Sequence, residues 1–167
     1  MIPLRDNIPV KRFPIITVIL IAVNVADTLG RFRFCVFYLA CGALASLCHV
    51  YSGAHSLTPT VGASGAIAGL MGAYLVLFPR AEILTIVPIF FIGTVMDVPA
   101  IVVIGFWAVI QFVNASWLGG SEMLNGGGVA YYAHVGGFLA GVLLILMLGG
   151  RSLVERKRRE THEQSIL

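Results

Sequence analysis

Ser64 and His134 are the side chains of this sequence whose type and setting could do chemistry together. Residues 62–69 read Gly-Ala-Ser-Gly-Ala-Ile-Ala-Gly, and Gly72 and Ala73 continue the run of small residues. His134 is the histidine that lies well inside an apolar run, where an ionisable group marks a functional site because its burial is costly. A serine hydroxyl is a weak nucleophile until a base removes its proton, and histidine, with an unperturbed pKa of about 6.5, is the usual base. No carboxylate stands nearby in the apolar runs: Asp97 and Glu122 both fall in connecting segments. The chemistry the sequence permits is therefore a Ser–His dyad and not a triad. No metal-ligand cluster, phosphate loop or dinucleotide motif occurs, so no metal and no cofactor is expected.

Each residue also has a plainer reading. Small residues four apart, Gly65 and Gly69 or Ala68 and Gly72, let helix backbones approach closely in a membrane, and Ser64 could be one more of them. His134 could be a neutral imidazole bonded to a neighbouring helix. Gly137 and Gly141, again four apart, share one side of the helix that carries His134 and suit it to close packing on the face around Ser64. Gly62, Gly65, Gly69, Gly137 and Gly141 are thus expected to support that packing. Gly-x-Ser-Gly faintly matches the hydrolase nucleophile elbow, but that motif needs a strand and a sheet that an apolar small-residue helix does not supply. Asn114-Ala-Ser116 fits a glycosylation acceptor by pattern alone and sits near the end of an apolar run. Cys35, Cys41 and Cys48 fall in one apolar run without metal spacing and read as packing residues. His49 and His55 flank the end of that run and are expected at an interface or in water.

The surroundings of these residues are apolar throughout. Of the 167 residues 58% are hydrophobic and 11% charged, with a mean hydropathy of +0.93, against roughly 25% charged in an ordinary soluble domain. A chain of this size cannot hide that much apolar surface from water, so a lipid bilayer must cover the remainder. The net charge of +3 does not indicate nucleic acid, because the basic residues cluster between apolar runs and at the ends, as topology signals do.

A spanning helix needs ~20 apolar residues, which selects the runs 34–51, 61–78, 99–118 and 129–148 as four spans. Residues 13–26 are short for a span, and residues 83–96 are similarly short, contain Pro88 and read as an interfacial or re-entrant piece. With one crossing per span, Arg31, Arg33, Arg80 and the cluster Arg151, Arg156, Lys157, Arg158 and Arg159 share one side, cytoplasmic by the positive-inside rule. The uncharged connections 52–60 and 119–128 then lie outside. The helices bearing Ser64 and His134 both run inward, and both residues sit roughly 5 to 10 Å below the outer surface at about 1.5 Å per residue. A single crossing by 13–26 would strand Lys11 and Arg12 on the wrong side, so the charges call for zero or two crossings there. Lys11 and Arg12 ahead of an apolar stretch suggest a signal peptide, yet no small-residue cleavage site follows. The expected organisation is a cytoplasmic segment 1–12, a membrane domain 13–150 and a basic cytoplasmic tail 151–167, in an all-α polytopic bundle.

The sequence resembles the rhomboid family of intramembrane serine proteases, of bacterial type. The resemblance rests on residues 62–69, similar to the family's nucleophile motif, and on His134-Val135-Gly136-Gly137-Phe138-Leu139-Ala140-Gly141, similar to its His-x-x-Gly-x-x-x-Gly helix. Ile2-Pro3-Leu4-Arg5-Asp6-Asn7 and Leu29-Gly30-Arg31-Phe32-Arg33-Phe34 are also similar to family sequences. The resemblance implies Ser64 as nucleophile, His134 as base, transmembrane protein substrates cut near the outer face, and a bacterial plasma membrane.

One departure is specific. The family usually carries, ahead of Leu-Gly-Arg-Phe, a long first loop and a second helix with a His-x-x-x-Asn pair that helps hold the oxyanion. Here Gly53 follows His49 by four and Pro59 follows His55 by four, so no such pair exists. The break falls near Asn24-Val25-Ala26-Asp27, where the charge parity also fails. The expectation is a family-typical pair with impaired activity; the alternatives are an inactive relative that binds transmembrane segments and, lower, a small transporter or channel. Asn125-Gly126-Gly127-Gly128, just before the His134 helix, reads as either a lid or a simple turn.

Overall fold

The structure, a computed structural model, describes residues 15–52, 62–89, 92–117 and 129–164. Among them the chain forms α1 (Ile15–Leu29), α2 (Arg31–Ser52), α3 (Ser64–Leu77), β1 (Glu82–Ile89), β2 (Ile92–Pro99), α4 (Ala100–Trp117), α5 (Tyr131–Met147) and α6 (Arg151–Gln164). The all-α bundle expected from the sequence is observed, with one small hairpin attached.

The bundle is organised around α3, whose small residues explain its place. Gly65, Gly69 and Gly72 weaken an isolated helix by about 1 kcal/mol each relative to alanine. They are tolerated because α3 is enclosed by α1, α2 and α5, with Gly65, Ala66, Ala68, Gly69, Leu70, Ala73 and Leu77 buried. At 14 residues, or roughly 21 Å, α3 is shorter than a ~30 Å hydrocarbon core. Neighbouring helices, not lipid, cover most of it.

The outer helices are apolar on the side that faces away from the bundle. Leu39, Leu47 and Val50 of α2, and Ile101, Phe106, Val109 and Phe112 of α4, are exposed. Such contiguous apolar surface belongs in lipid. α2 and α4 are each long and apolar enough to cross a membrane, and α5 with the start of α6 forms a pair bent by 56° that together passes as a third span. The bend sits at Gly149 and Gly150, whose φ angles of +111° and +52° favour glycine.

One end of the bundle gathers the basic residues. Arg151 Nε donates to Val76 O at 3.4 Å, and Lys157 of α6 donates to Asp27 O with the Asp27 carboxylate at 3.7 Å. These contacts bring the C-terminal ends of α1 and α3 to α6, on the side of Arg31, Arg33 and Arg80. Because the ion pair is exposed, it contributes at most about 1 kcal/mol. A buried stripe on α1, Ile21, Val25 and Leu29, joins the same apolar cluster as Leu70, Met71, Ala73 and Leu77. Arg5, Lys11 and Arg12, on which the parity argument turns, lie outside the described residues, as does segment 1–12.

α1 passes to α2 through the single residue Gly30, at φ +79°. That link leaves no space for an intervening loop and helix. Nothing lies within 4 Å of a Cβ built at Gly30, so a substitution there meets strain and not a clash. Gly30→Ala is expected to lower stability by about 1 kcal/mol through the left-handed backbone, read as a shifted midpoint in a detergent-unfolding titration.

Most of the stretch 83–96 forms secondary structure that hydropathy does not specify. β1 and β2 pair antiparallel from Glu82↔Pro99 to Ile89↔Ile92, and Ala100 N donates to Ala81 O at 2.8 Å at the base. Ile83, Thr85, Ile86, Val87, Thr94 and Val95 are β-branched, which favours a strand over a helix. Pro88 is accommodated opposite Gly93, next to the hairpin tip. The hairpin joins α3 to α4 at the basic end, so α4 runs back opposite to α3.

Candidate active site

Ser64 and His134 are positioned by the contact between α3 and α5, which is made backbone to backbone. A Cβ built on Gly137 would strike Gly65 O, one on Gly141 would strike Gly69 O, and one on Gly72 would strike Phe138 O. The same side of α3 also meets α2, where a Cβ on Gly65 or Gly69 would come within 2.6 Å of Ala45 Cβ or Cys41 Cβ. Gly137 lying against Gly65 and Gly141 against Gly69 shows that the two helices run in the same direction. Gly65, Gly69, Gly137 and Gly141 are therefore brought together in one interface.

Gly62 stands apart from them. It is exposed ahead of α3 at φ +153°, and a Cβ there would lie 3.6 Å from Ser64 Oγ. Its place is in the turn that leads into Ser64, not in the helix contact.

Ser64 is the first residue of α3 and is half-buried. Ala63 precedes it without a side-chain cap, and the first bond of the helix runs from Ile67 N to Ala63 O at 3.0 Å. The N–H groups of the first turn, Ser64, Gly65 and Ala66, thus have no partner within the helix. A Cβ on Gly65 would lie 3.3 Å from Ala133 O. The residue after Ser64 therefore sits against the residue before His134, and the two candidate residues are level.

His134 lies in the first turn of α5, half-buried, with its N–H donating to Ala130 O at 3.2 Å. Its ring is held by α4, a helix to which the sequence assigns no part in the site. His134 Nδ1 is 2.7 Å from Gln111 Oε1, and the Trp107 ring lies 5.8 Å away, tilted by 42°. Trp107 in turn packs on Phe138 at 6.5 Å. Gln111 is 9% exposed, the buried polar side chain among the described residues. The available signal was a lone glutamine inside the apolar run 99–118, four positions after a tryptophan. No hydrogen bond joins Ser64 to His134. Such bonds are often long without substrate and tighten when it binds.

Other residues singled out from the sequence have structural places. Cys41 and Cys48 pack against Gly69 and Gly136, Cys35 is exposed, and all three thiols are free. Ser116 Oγ donates to Phe112 O at 2.9 Å within α4. His49 is half-buried in the last turn of α2. His55, Glu122 and the 125–128 loop lie outside the described residues.

The sequence profile of the rhomboid domain matches residues 13–151. "Rhomboid protein 1, mitochondrial" of Saccharomyces cerevisiae is 31% identical over 140 residues, which cover 81% of this chain and 37% of that protein. The chain thus spans well under half the length of this curated relative. No solved structure matches.

Proposed function

The chain belongs to the rhomboid family, whose members are in general intramembrane serine proteases with some inactive relatives, and from that premise we propose that it is an intramembrane serine endopeptidase using Ser64 and His134. It is an integral membrane protein, and its proposed substrates are the transmembrane segments of other proteins. The observation that carries this reading is the parallel glycine contact, in which Gly65 lies against Ala133 and so sets the two residues level on adjacent helices.

In the proposed reaction His134 takes the proton of Ser64 Oγ as the oxygen bonds to the scissile carbonyl carbon, whose π electrons move to the carbonyl oxygen. The resulting imidazolium then protonates the leaving amine, and water repeats the sequence to release the acyl group. The negative oxygen needs donors, and the N–H groups of Ser64, Gly65 and Ala66 at the helix start are suited to it. The His-x-x-x-Asn pair of the family pattern is absent from the sequence. Losing one oxyanion donor costs roughly 10²- to 10³-fold in rate, so a slow enzyme is expected.

The second reading is an inactive relative that binds transmembrane segments without cleaving them. It is favoured by the Gly30 link, which joins α1 directly to α2 where the family pattern has a further loop and helix. The basic end of the bundle, with α6, is proposed to face the cytoplasm of a bacterial cell, following the positive-inside rule.

A serine-directed fluorophosphonate probe applied to the protein in bilayers separates the two readings. Covalent labelling of Ser64 supports the protease; a folded protein that stays unlabelled at long exposure while still capturing a transmembrane peptide supports the binding protein.

A further inference from the structure

We infer that Gln111 is a positioning residue that sets the tautomer of His134, an inference that rests on the dyad reading. A neutral imidazole carries one proton, and the base must present a bare nitrogen to the serine. Gln111 Oε1, 2.7 Å from His134 Nδ1, has only lone pairs to offer. With the amide oxygen facing the ring, the inferred tautomer carries its proton on Nδ1 and leaves Nε2 bare as the acceptor for the Ser64 proton.

The surroundings make this bond consequential. Gln111 is nearly closed off from solvent, where an amide left unbonded is costly. Trp107, one turn earlier on the same face of α4, lies against the His134 ring and limits its rotation. Ile104 and Ala115 continue this buried face, so α4 approaches α5 along a stripe whose polar member is Gln111. When His134 accepts the serine proton at Nε2, the ring becomes a cation with N–H on both sides. Gln111 Oε1 then bonds a charged donor and strengthens that contact in the state where it matters. A neutral amide thus occupies the place that a carboxylate takes in a triad, without putting a second charge into the membrane, where charge is costly.

Nitrogen NMR on the full chain in bilayers, labelled with isotopic histidine and held above the usual histidine titration range, reads the tautomer directly. The His134 signal is identified by its loss in His134→Ala. The wild-type protein is expected to show N–H at Nδ1 and a bare Nε2. Gln111→Met keeps the side-chain length and removes the acceptor. It is expected to move the proton towards Nε2 and to slow fluorophosphonate labelling of Ser64 by roughly 10- to 100-fold, the scale on which loss of the partner that orients a metal-bound imidazole acts. Gln111→Glu retains an acceptor oxygen and is expected to hold the wild-type tautomer and recover labelling relative to Gln111→Met.

A wild-type signal with the proton on Nε2 overturns the inference, because the amide nitrogen would then face the ring. Labelling of Gln111→Met at the wild-type rate overturns it as well, while leaving the dyad intact. Absence of labelling in the wild type counts against the dyad alone, and the wild-type spectrum still decides the role of Gln111.

Discussion

Gly141→Ala is expected to destabilise the protein by about 3 kcal/mol, the upper part of the range for overpacking, and to abolish probe labelling through loss of structure. The added methyl would strike Gly69 O, a backbone atom on a helix enclosed on several sides. A flexible side chain could swing away from such a contact; a peptide carbonyl in a helix cannot. Relief requires α5 to move off α3, which also separates Gly137 from Gly65 and Gly72 from Phe138. The same interface sets the level of Ser64 against His134, and in the proposed dyad a displacement of ~1 Å is enough to cost about 10²-fold in rate. Gly105→Ala on α4 is the matched control. A Cβ at Gly105 meets nothing within 4 Å, and alanine there is expected to leave the unfolding midpoint unchanged or to raise stability by up to about 1 kcal/mol. Equal midpoints for the 105 and 141 variants would show that the backbone contact between α3 and α5 does not hold the bundle together.

That interface is legible in the sequence because it depends on absence of side chains. Glycines four apart on two apolar helices leave few other ways to pack, so the spacing of Gly65, Gly69, Gly137 and Gly141 is enough to indicate a close contact. Spacing does not give register. Gly65 meets Gly137 and Gly69 meets Gly141, with Ala45, Cys41 and Cys48 of α2 packed against Gly65, Gly69 and Gly136, and neither the register nor this third partner follows from the glycine spacing. Gln111 escapes notice in the sequence for a different reason. A partner for a catalytic histidine is expected to carry charge, and charge is what a membrane disfavours; a neutral amide does the same hydrogen bonding at less cost. The hairpin is hidden because two mostly apolar strands of eight residues each are ambiguous by hydropathy. Its β-branched content, not its hydrophobicity, carries the signal.

Ser64→Ala and His134→Ala are each expected to lower the rate of peptide-bond cleavage in a transmembrane substrate by at least about 10⁴-fold, and the double variant no further. In the proposed dyad the two groups act as one unit: without His134 the serine keeps its proton, and without Ser64 the imidazole has no oxygen to activate. Losses that multiplied in the double variant would show two independent contributions and would overturn the dyad. Capture of the same substrate should survive both substitutions, because neither residue is large and both sit at one end of their helices. Retained capture in the variants, with cleavage present only in the wild type, supports an enzyme; capture without cleavage in all of them leaves the binding protein. The rate that remains in Ser64→Ala is itself informative. The N–H groups at the start of α3 persist in that variant, so any residual hydrolysis above the uncatalysed rate reports how much of the oxyanion binding comes from the backbone, independent of the helix pair that the family pattern supplies elsewhere.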